Sequence, residues 1–193
     1  MQIKENQRVI LTKRLLYEGL LRLLEKKELH KITITELCAE AGINRATFYK
    51  HYSTPKDVLT DKMHQLIEEF LDNNPPSEFQ KNHFTKEHLE KVCQYLYDNS
   101  AIVKILINNN IDGEISCILK NIPPKISFLR DDLGRDLDKD NLKLLSNFIC
   151  FGGYYLIRQW ILEDIQKTPE EIASLIFDIS TKGWMRLSGN SPR

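Results

Sequence analysis

The sequence has few cysteines and histidines, and neither type is clustered. No Cys-x-x-Cys pair occurs, and the five histidines are scattered without a repeated metal-ligand pair on one helix face. A disulfide framework or a structural zinc site needs such clustering. We therefore expect no metal and no cofactor, and thiols that pack as small apolar side chains. The cysteines are Cys38, Cys93, Cys117 and Cys150.

Long apolar runs are missing as well. No segment has the roughly 18 consecutive apolar residues that a membrane-spanning helix needs. Residues 1–14 are polar and basic, and they lack the apolar core and small-residue cleavage site of a secretion signal. These absences predict a cytoplasmic protein without a membrane partner.

The groupings that carry catalysis are also absent. The sequence shows neither a Ser or Cys nucleophile grouped with His and Asp nor a glycine-rich loop that could hold phosphate. We therefore expect a protein that is not an enzyme.

Charge is balanced overall but unevenly distributed. The 27 Lys and Arg residues equal the 27 Asp and Glu residues, so the formal net charge at pH 7 is zero. Residues 1–60 nevertheless carry 11 Lys and Arg against 7 Asp and Glu, a net charge of +4. A basic first third favours contact with phosphate at that end of the protein.

Apolar residues recur at spacings of three and four along nearly the whole chain, and strand-like alternation is almost missing. This periodicity predicts an all-α fold. Residues 33–52 are the most informative part, because they have the pattern of two short helices joined by a tight turn. Thr33 and Glu36 have the spacing of a capping box, and Gly42 can supply the left-handed turn before the cap residue Asn44. The second short helix is basic and aromatic, which is typical of a DNA-binding helix-turn-helix.

The second helix of this motif, expected over Arg45–Tyr52, has residues suited to reading base pairs. The Arg45 guanidinium can bind guanine O6 and N7 through two parallel hydrogen bonds, which discriminates against other bases by about 1–3 kcal/mol. Thr47 can donate, accept or contact a thymine methyl group, and Ala46 allows close approach. We predict that Arg45, Ala46 and Thr47 read the bases.

A second set of side chains is suited to phosphate oxygens, which fix the register of a protein on the duplex without reading sequence. These residues stand at helix starts or on the outer face of the second helix. Two of them, Tyr49 and His51, could equally be partly buried against the scaffold. The predicted phosphate contacts are Thr33, Thr35, Tyr49, Lys50, His51 and Lys56.

The last two predicted helices carry the candidate surface for self-association. A long helix expected over residues 141–163 is apolar nearly all round and contains Gly152-Gly153. The glycines favour the close approach of another helix across a dimer interface, and the alternatives are a kink or packing within the monomer. A final helix, starting at a capping box at Thr168, could complete a four-helix dimer bundle. The predicted interface residues are Phe151, Gly152, Tyr155, Ile172, Leu175, Ile176 and Ile179.

The run from Ile34 to Tyr52, ITELCAEAGINRATFYKHY, resembles the DNA-binding signature of the TetR family. The following Lys56-Asp57-Val58-Leu59 resembles the start of the fourth helix in that family. The resemblance covers about residues 8–71. It implies a three-helix DNA-binding domain, a connecting helix and a larger helical domain that dimerises through its last two helices. Most such proteins are repressors released by a small ligand, which implies a double-stranded DNA operator, a homodimer and a small-molecule effector of unknown identity.

On this plan we expect a helix-turn-helix domain over residues 1–53, a connecting helix over 54–72 and a short, divergent regulatory and dimerisation domain over 73–193. The stretch from Phe151 to Ile172 resembles a branch of small C-terminal domains that includes regulators of dihydroxyacetone metabolism. A TetR-like adaptor or coactivator that acts through a protein partner would keep the same fold. Such a protein would tend to lose a basic recognition face, which makes it the alternative rather than the first hypothesis.

Overall fold

The computed structural model of this chain describes residues 2–74, 85–111 and 139–185. These residues form eight α-helices and one 3-10 turn, and they contain no strand, which confirms the predicted all-α fold. The chain divides into two compact units, Met1–Glu69 and Phe70–Arg193. Cys117 lies outside the described residues.

The first unit contains three helices and most of a fourth. They are α1 (Gln2–Leu24), α2 (Ile34–Ala41), α3 (Arg45–Phe48) and α4 (Pro55–Asn73), with a 3-10 turn at Leu29–Lys31 between α1 and α2. The helix expected over Arg45–Tyr52 is thus shorter than predicted. Its last residues form a tighter turn, in which the His51 backbone N–H donates to the Phe48 carbonyl, three residues back, at 2.9 Å. Such bonds are common where a short helix ends.

The core of the first unit is built from leucines of α1 and α2 together with residues that follow them. Leu16, Leu20, Leu37, Phe48 and Leu59 are fully buried. Burying each such side chain contributes about 1.5–3 kcal/mol relative to leaving it in water. These contacts hold the short α3, which is a single turn long, in a fixed place.

Helices α1 and α2 cross closely at Gly19. A Cβ atom added to Gly19 would lie 3.1 Å from the Ala41 Cβ and 3.1 Å from the Ala41 backbone nitrogen. Nothing in the sequence pattern marks Gly19 as the partner of Ala41 at this crossing. Beside this crossing, Arg22 Nε lies 2.6 Å from Glu40 Oε1 and ties the ends of the two helices together.

The second unit contains α5 (Lys86–Asp98), α6 (Ser100–Asn108), α7 (Lys139–Leu162) and α8 (Pro169–Met185). Helix α8 packs mainly against α5, and α7 contacts both α6 and α8. The Trp160 ring stacks on Tyr97, with ring centroids 5.6 Å apart, and its indole N–H donates to the Lys167 carbonyl at 3.1 Å. A core cluster lies around this ring, formed by Cys93, Trp160, Ile161, Ile172, Ala173 and Ile176.

Within residues 2–74, 85–111 and 139–185, no helix has the length and apolarity that a membrane span requires. In the same ranges, no three His, Cys, Asp or Glu side chains are placed so that they could hold a metal ion.

Candidate nucleic-acid interface

The start of α2 is a capping box, as predicted. The Glu36 backbone N–H donates to the Thr33 hydroxyl oxygen at 3.2 Å, and the Thr33 backbone N–H donates to the Glu36 carboxylate at 2.9 Å. Lys27 adds an ion pair to the same carboxylate at 2.6 Å. The hydrogen bond from Lys27, followed by those from Thr33, lowers the Glu36 pKa to about 2. The box therefore contains a fixed negative charge at neutral pH.

This geometry changes the role of Thr33. Its hydroxyl also donates to Glu36 Oε2 at 2.7 Å, so both donors of Thr33 are used by one carboxylate. A phosphate oxygen needs a donor, and it is repelled by a neighbouring carboxylate. Thr33 therefore starts α2 and leaves the set of proposed phosphate contacts. Thr35 is exposed on the first turn of α2 and stays in that set.

The turn between α2 and α3 has the predicted chemistry. Gly42 has φ 66° and ψ 28°, the left-handed conformation that most side chains disfavour. The next residue, Ile43, donates its backbone N–H to the Cys38 carbonyl at 2.9 Å and so closes the end of α2. Asn44 then caps α3, since its side-chain oxygen accepts from the Ala46 backbone N–H at 2.8 Å. The angle between the two helices is thus set by local hydrogen bonds.

The three predicted readout residues lie together on the single turn of α3. Arg45 and Ala46 are exposed and Thr47 is half-buried, whereas Phe48 on the opposite side is fully buried. Interaction with the neighbouring Tyr49 side chain raises the pKa of the Arg45 guanidinium, a group that is charged at neutral pH in any surroundings. One exposed turn therefore presents a cation, a methyl group and a hydroxyl.

The residues that follow α3 differ in exposure. Lys50 is exposed, and Tyr49 is 53% exposed with its ring edge against Phe48 at a centroid distance of 5.7 Å. His51 is half-buried, with its ring 6.3 Å from that of Tyr52. Two interpretations were left open for Tyr49 and His51, a phosphate contact or partial burial against the scaffold. Exposure favours the first for Tyr49, and partial burial applies more to His51.

Helix α4 also begins at a side-chain cap. The Asp57 backbone N–H donates to the Thr54 hydroxyl oxygen at 3.3 Å, and the Ser53 and Thr54 backbone N–H groups each donate to Asp57 Oδ2 at 2.8 Å. Partial burial raises the Asp57 pKa, but the hydrogen bonds from Thr54 and Ser53 outweigh it and leave the pKa below its ordinary value. Lys56 is exposed in the first turn of the helix, where a phosphate oxygen could reach it.

One charged cluster in this unit was not predicted. Asp61 of α4 accepts three hydrogen bonds: from Lys13 Nζ at 2.9 Å, from the Tyr52 hydroxyl at 2.8 Å and from Gln65 Nε2 at 2.9 Å. We call these four residues the Asp61 cluster. The only sequence signal was a hydroxyl on Tyr52, an aromatic residue that is otherwise buried, and nothing in the pattern pointed to its partners.

The last two helices expose large apolar side chains of their own. Leu144 is 67% exposed, Phe148 71% and Tyr155 62%, and their spacing of four and seven residues places them along one side of α7. On α8, Leu175 and Ile179 are 41% and 55% exposed. We call these five residues the α7–α8 apolar surface. Of these five residues, Tyr155, Leu175 and Ile179 were predicted at an interface, whereas Leu144 and Phe148 were not.

The structure separates the remaining predicted interface residues. Gly152 is exposed, and a Cβ added there would meet no atom within 4 Å, whereas one added to Gly153 would lie 3.4 Å from Ile176. Gly153 therefore faces α8 of the same chain and Gly152 faces outward. Phe151 is half-buried. Ile172 and Ile176 were predicted at the interface but belong to the core of the second unit, so they leave that set.

Both the sequence and the fold of this chain are similar to those of known transcriptional regulators. Residues 85–182 match a TetR family model described as a transcriptional regulator C-terminal region. An uncharacterised HTH-type transcriptional regulator of Bacillus subtilis, YxbF, is 32% identical over 79 residues. That match covers 38% of this chain and 21% of YxbF, so this chain spans about a fifth of that relative's length.

Two solved structures share the fold. A TetR transcriptional regulator from Streptococcus agalactiae superposes with a TM-score of 0.66 at 17% identity, covering 94% of this chain and 99% of that one. The dihydroxyacetone kinase operon activator DhaS superposes with a TM-score of 0.60 at 16% identity, covering 92% and 98%. Because the family model alone spans just over half of the sequence, this chain belongs to the TetR family of transcriptional regulators.

Proposed function

We propose that this protein binds a specific DNA operator as a homodimer and represses transcription until a small-molecule effector releases it. The observation that carries the proposal is the exposed turn of α3, where Arg45, Ala46 and Thr47 directly follow the Asn44 cap. An α-helix fits the major groove, and its first residues meet the base edges. Such a protein acts by binding rather than by catalysis.

The surroundings of α3 support sequence-specific reading over general DNA binding. Arg45 is exposed at the start of α3 and is followed, beyond Tyr49, by the exposed side chain of Lys50. A planar guanidinium reads guanine through two parallel hydrogen bonds, while a flexible ammonium contacts phosphate as a point charge. We therefore assign readout to Arg45, Ala46 and Thr47 and positioning on the phosphates to Thr35, Tyr49, Lys50, His51 and Lys56.

Homodimer formation is supported by the α7–α8 apolar surface. In the described chain Phe148 is 71% exposed and Leu144 is 67% exposed. Leaving apolar side chains of this size in water is unfavourable. A second copy would cover them by packing α7 and α8 into a four-helix bundle, with Gly152 allowing close approach. Two copies would then present two recognition helices to successive major grooves about 34–36 Å apart.

Release by an effector requires that ligand binding in the second unit changes the affinity of the first for DNA, which makes the two sites allosterically coupled. The direction of control is the finer part of the proposal. DhaS, which shares the fold, is named as an operon activator, so activation is the second candidate.

A binding-site selection from random duplexes tests the proposal at its base. We expect enrichment of a palindromic site with half-sites one helical turn apart, and an affinity for it that falls steeply as salt rises. A reporter carrying the selected site upstream of a promoter then distinguishes repression from activation. If no duplex is enriched at low salt and a stable protein partner is recovered instead, the adaptor alternative replaces this proposal.

A further inference from the structure

The position of the recognition segment depends on very few contacts. Helix α3 is only four residues long, so its own backbone hydrogen bonds do little to fix its direction. Two buried side chains anchor the segment: Phe48, which is fully buried, and Tyr52, which is 7% exposed. Weakening the packing or bonding of either anchor should therefore change the orientation of the exposed turn at Arg45–Thr47.

The two anchors act differently. Phe48 offers only apolar contact, which is not directional. Tyr52 adds a hydroxyl that donates to Asp61 at 2.8 Å, and Lys13 Nζ lies 5.9 Å from the centroid of the Tyr52 ring. A hydrogen bond to a carboxylate is short and directional, so it fixes rotation of the segment as well as its depth.

Asp61 is built to hold this bond. Partial burial raises its pKa, but the hydrogen bonds from Lys13 and Tyr52 outweigh burial and lower the pKa below its ordinary value. Its carboxylate is therefore ionised at neutral pH. Because Lys13 belongs to α1 and Gln65 to α4, the charge is held from two sides and has little freedom to move.

We propose that Asp61 is a positioning residue for base readout, acting through Tyr52 to fix the orientation of α3. This inference rests on the proposed function, since it names how the reading surface is aimed. Two parallel hydrogen bonds from Arg45 to guanine tolerate little rotation, whereas phosphate contacts from Lys50 or Lys56 tolerate more. Loosening the Asp61 cluster should therefore weaken specific binding more than non-specific binding.

The test compares Tyr52→Phe, Asp61→Asn and the double variant with the wild type on the selected operator and on a scrambled duplex. Tyr52→Phe removes one oxygen and leaves the ring in the core. We expect a loss of at least about tenfold in operator affinity, the lower end of what one hydrogen bond to a charged group contributes, and less than about twofold on scrambled DNA. Since both changes break the same bond, the double variant should lose less than the product of the two single losses.

Glu68→Gln on the exposed side of α4 is the matched control and should leave both affinities unchanged. Circular dichroism shows that each variant is folded at the assay temperature. If Asp61→Asn fails to fold, Tyr52→Phe alone decides. Equal losses on operator and scrambled DNA, no loss at all, or full additivity would each overturn the proposal. A wild type that selects no operator would instead contradict the proposed function and is seen before any variant is measured.

Discussion

The helix-turn-helix and the last two helices differ in how many large apolar side chains they leave exposed. Over residues 33–60, Tyr49 is the only large aromatic or aliphatic side chain that is mostly exposed, and α2, α3 and α4 each start at a side-chain cap. Helix α7 instead exposes Leu144, Phe148 and Tyr155 along one side. The first region buries its large apolar side chains within one chain. The apolar side of α7 would be buried only by contact with another surface.

This difference separates two kinds of information in the sequence. Caps, turns and a recognition face act over a few residues, so each can be tested by a single change within the first unit. The role of an uncovered apolar face depends on the partner that covers it, so it is tested by measuring the oligomeric state. The largest expected effects therefore lie in the second unit, although the proposed DNA contacts lie in the first.

Phe148→Asp should have the largest effect. It places a charge in the middle of the proposed dimer surface, where an unpaired charge is strongly disfavoured. We expect the dimer dissociation constant to rise by at least about a hundredfold, typical of a central interface residue. Sedimentation velocity measures the change, and the affinity for a two-half-site operator should fall with it.

Leu71→Asp is the matched control, because Leu71 is 40% exposed on α4 and lies outside the α7–α8 apolar surface. It should leave the assembly intact. A Phe148→Asp protein that still sediments as a dimer would show that this surface serves another purpose, and the comparison between the two regions would need a different explanation.

Arg45→Ala and Lys50→Ala should separate readout from positioning. Arg45→Ala is expected to reduce discrimination against a changed guanine by about 1–3 kcal/mol, because the two parallel hydrogen bonds are lost. Lys50→Ala should weaken binding to all duplexes alike and lower the salt dependence by about one counterion. Fluorescence anisotropy at several salt concentrations measures both. An Arg45→Ala protein that keeps its sequence preference would contradict the assignment.

Local hydrogen bonds were the part of the fold that could be predicted. The Thr33–Glu36 box, the left-handed Gly42 and the Asn44 cap each involve residues within a few positions of one another, and all three are present. The second hydrogen bond of the Thr33 hydroxyl was not among these predictions. The sequence could not show that its hydroxyl donates to Glu36, because the box requires only that the hydroxyl accepts.

Contacts between distant residues could not be predicted in the same way. Periodicity showed that α8 has an apolar stripe, but Ile172 and Ile176 face the core of the same chain while Leu175 and Ile179 face outward. Which half of a stripe packs inward depends on where the other helices lie. The Asp61 cluster is a stronger case, since Lys13 and Asp61 are 48 positions apart in sequence.

Gly19→Ala should destabilise the first unit by a smaller amount. The added Cβ would lie 3.1 Å from the Ala41 backbone nitrogen, which cannot move as a flexible side chain would. Overpacking of this kind typically costs about 1–3 kcal/mol, and the gain in helix propensity from Ala recovers up to about 1 kcal/mol. Chemical denaturation measures the balance. A Gly19→Ala protein that is as stable as the wild type or more stable would contradict a close crossing at Gly19.

Glu36→Gln should have the smallest effect, and it should depend on pH. Glutamine can still accept from the Thr33 backbone, so the variant keeps the box and loses the charge that pairs with Lys27. The Glu36 pKa falls from an ordinary 4.5 to about 2 in the folded protein, so ionised Glu36 favours folding above about pH 4.5. That contribution disappears as the pH drops towards 2, because the folded carboxylate then also takes up a proton. The wild type should therefore melt above Glu36→Gln at pH 6, and the two melting temperatures should converge by about pH 2. Glu25→Gln, at an exposed position near the end of α1, is the matched control and should show no such convergence. If the advantage of the wild type over Glu36→Gln persists unchanged at pH 2, the charge of Glu36 does not stabilise this helix start.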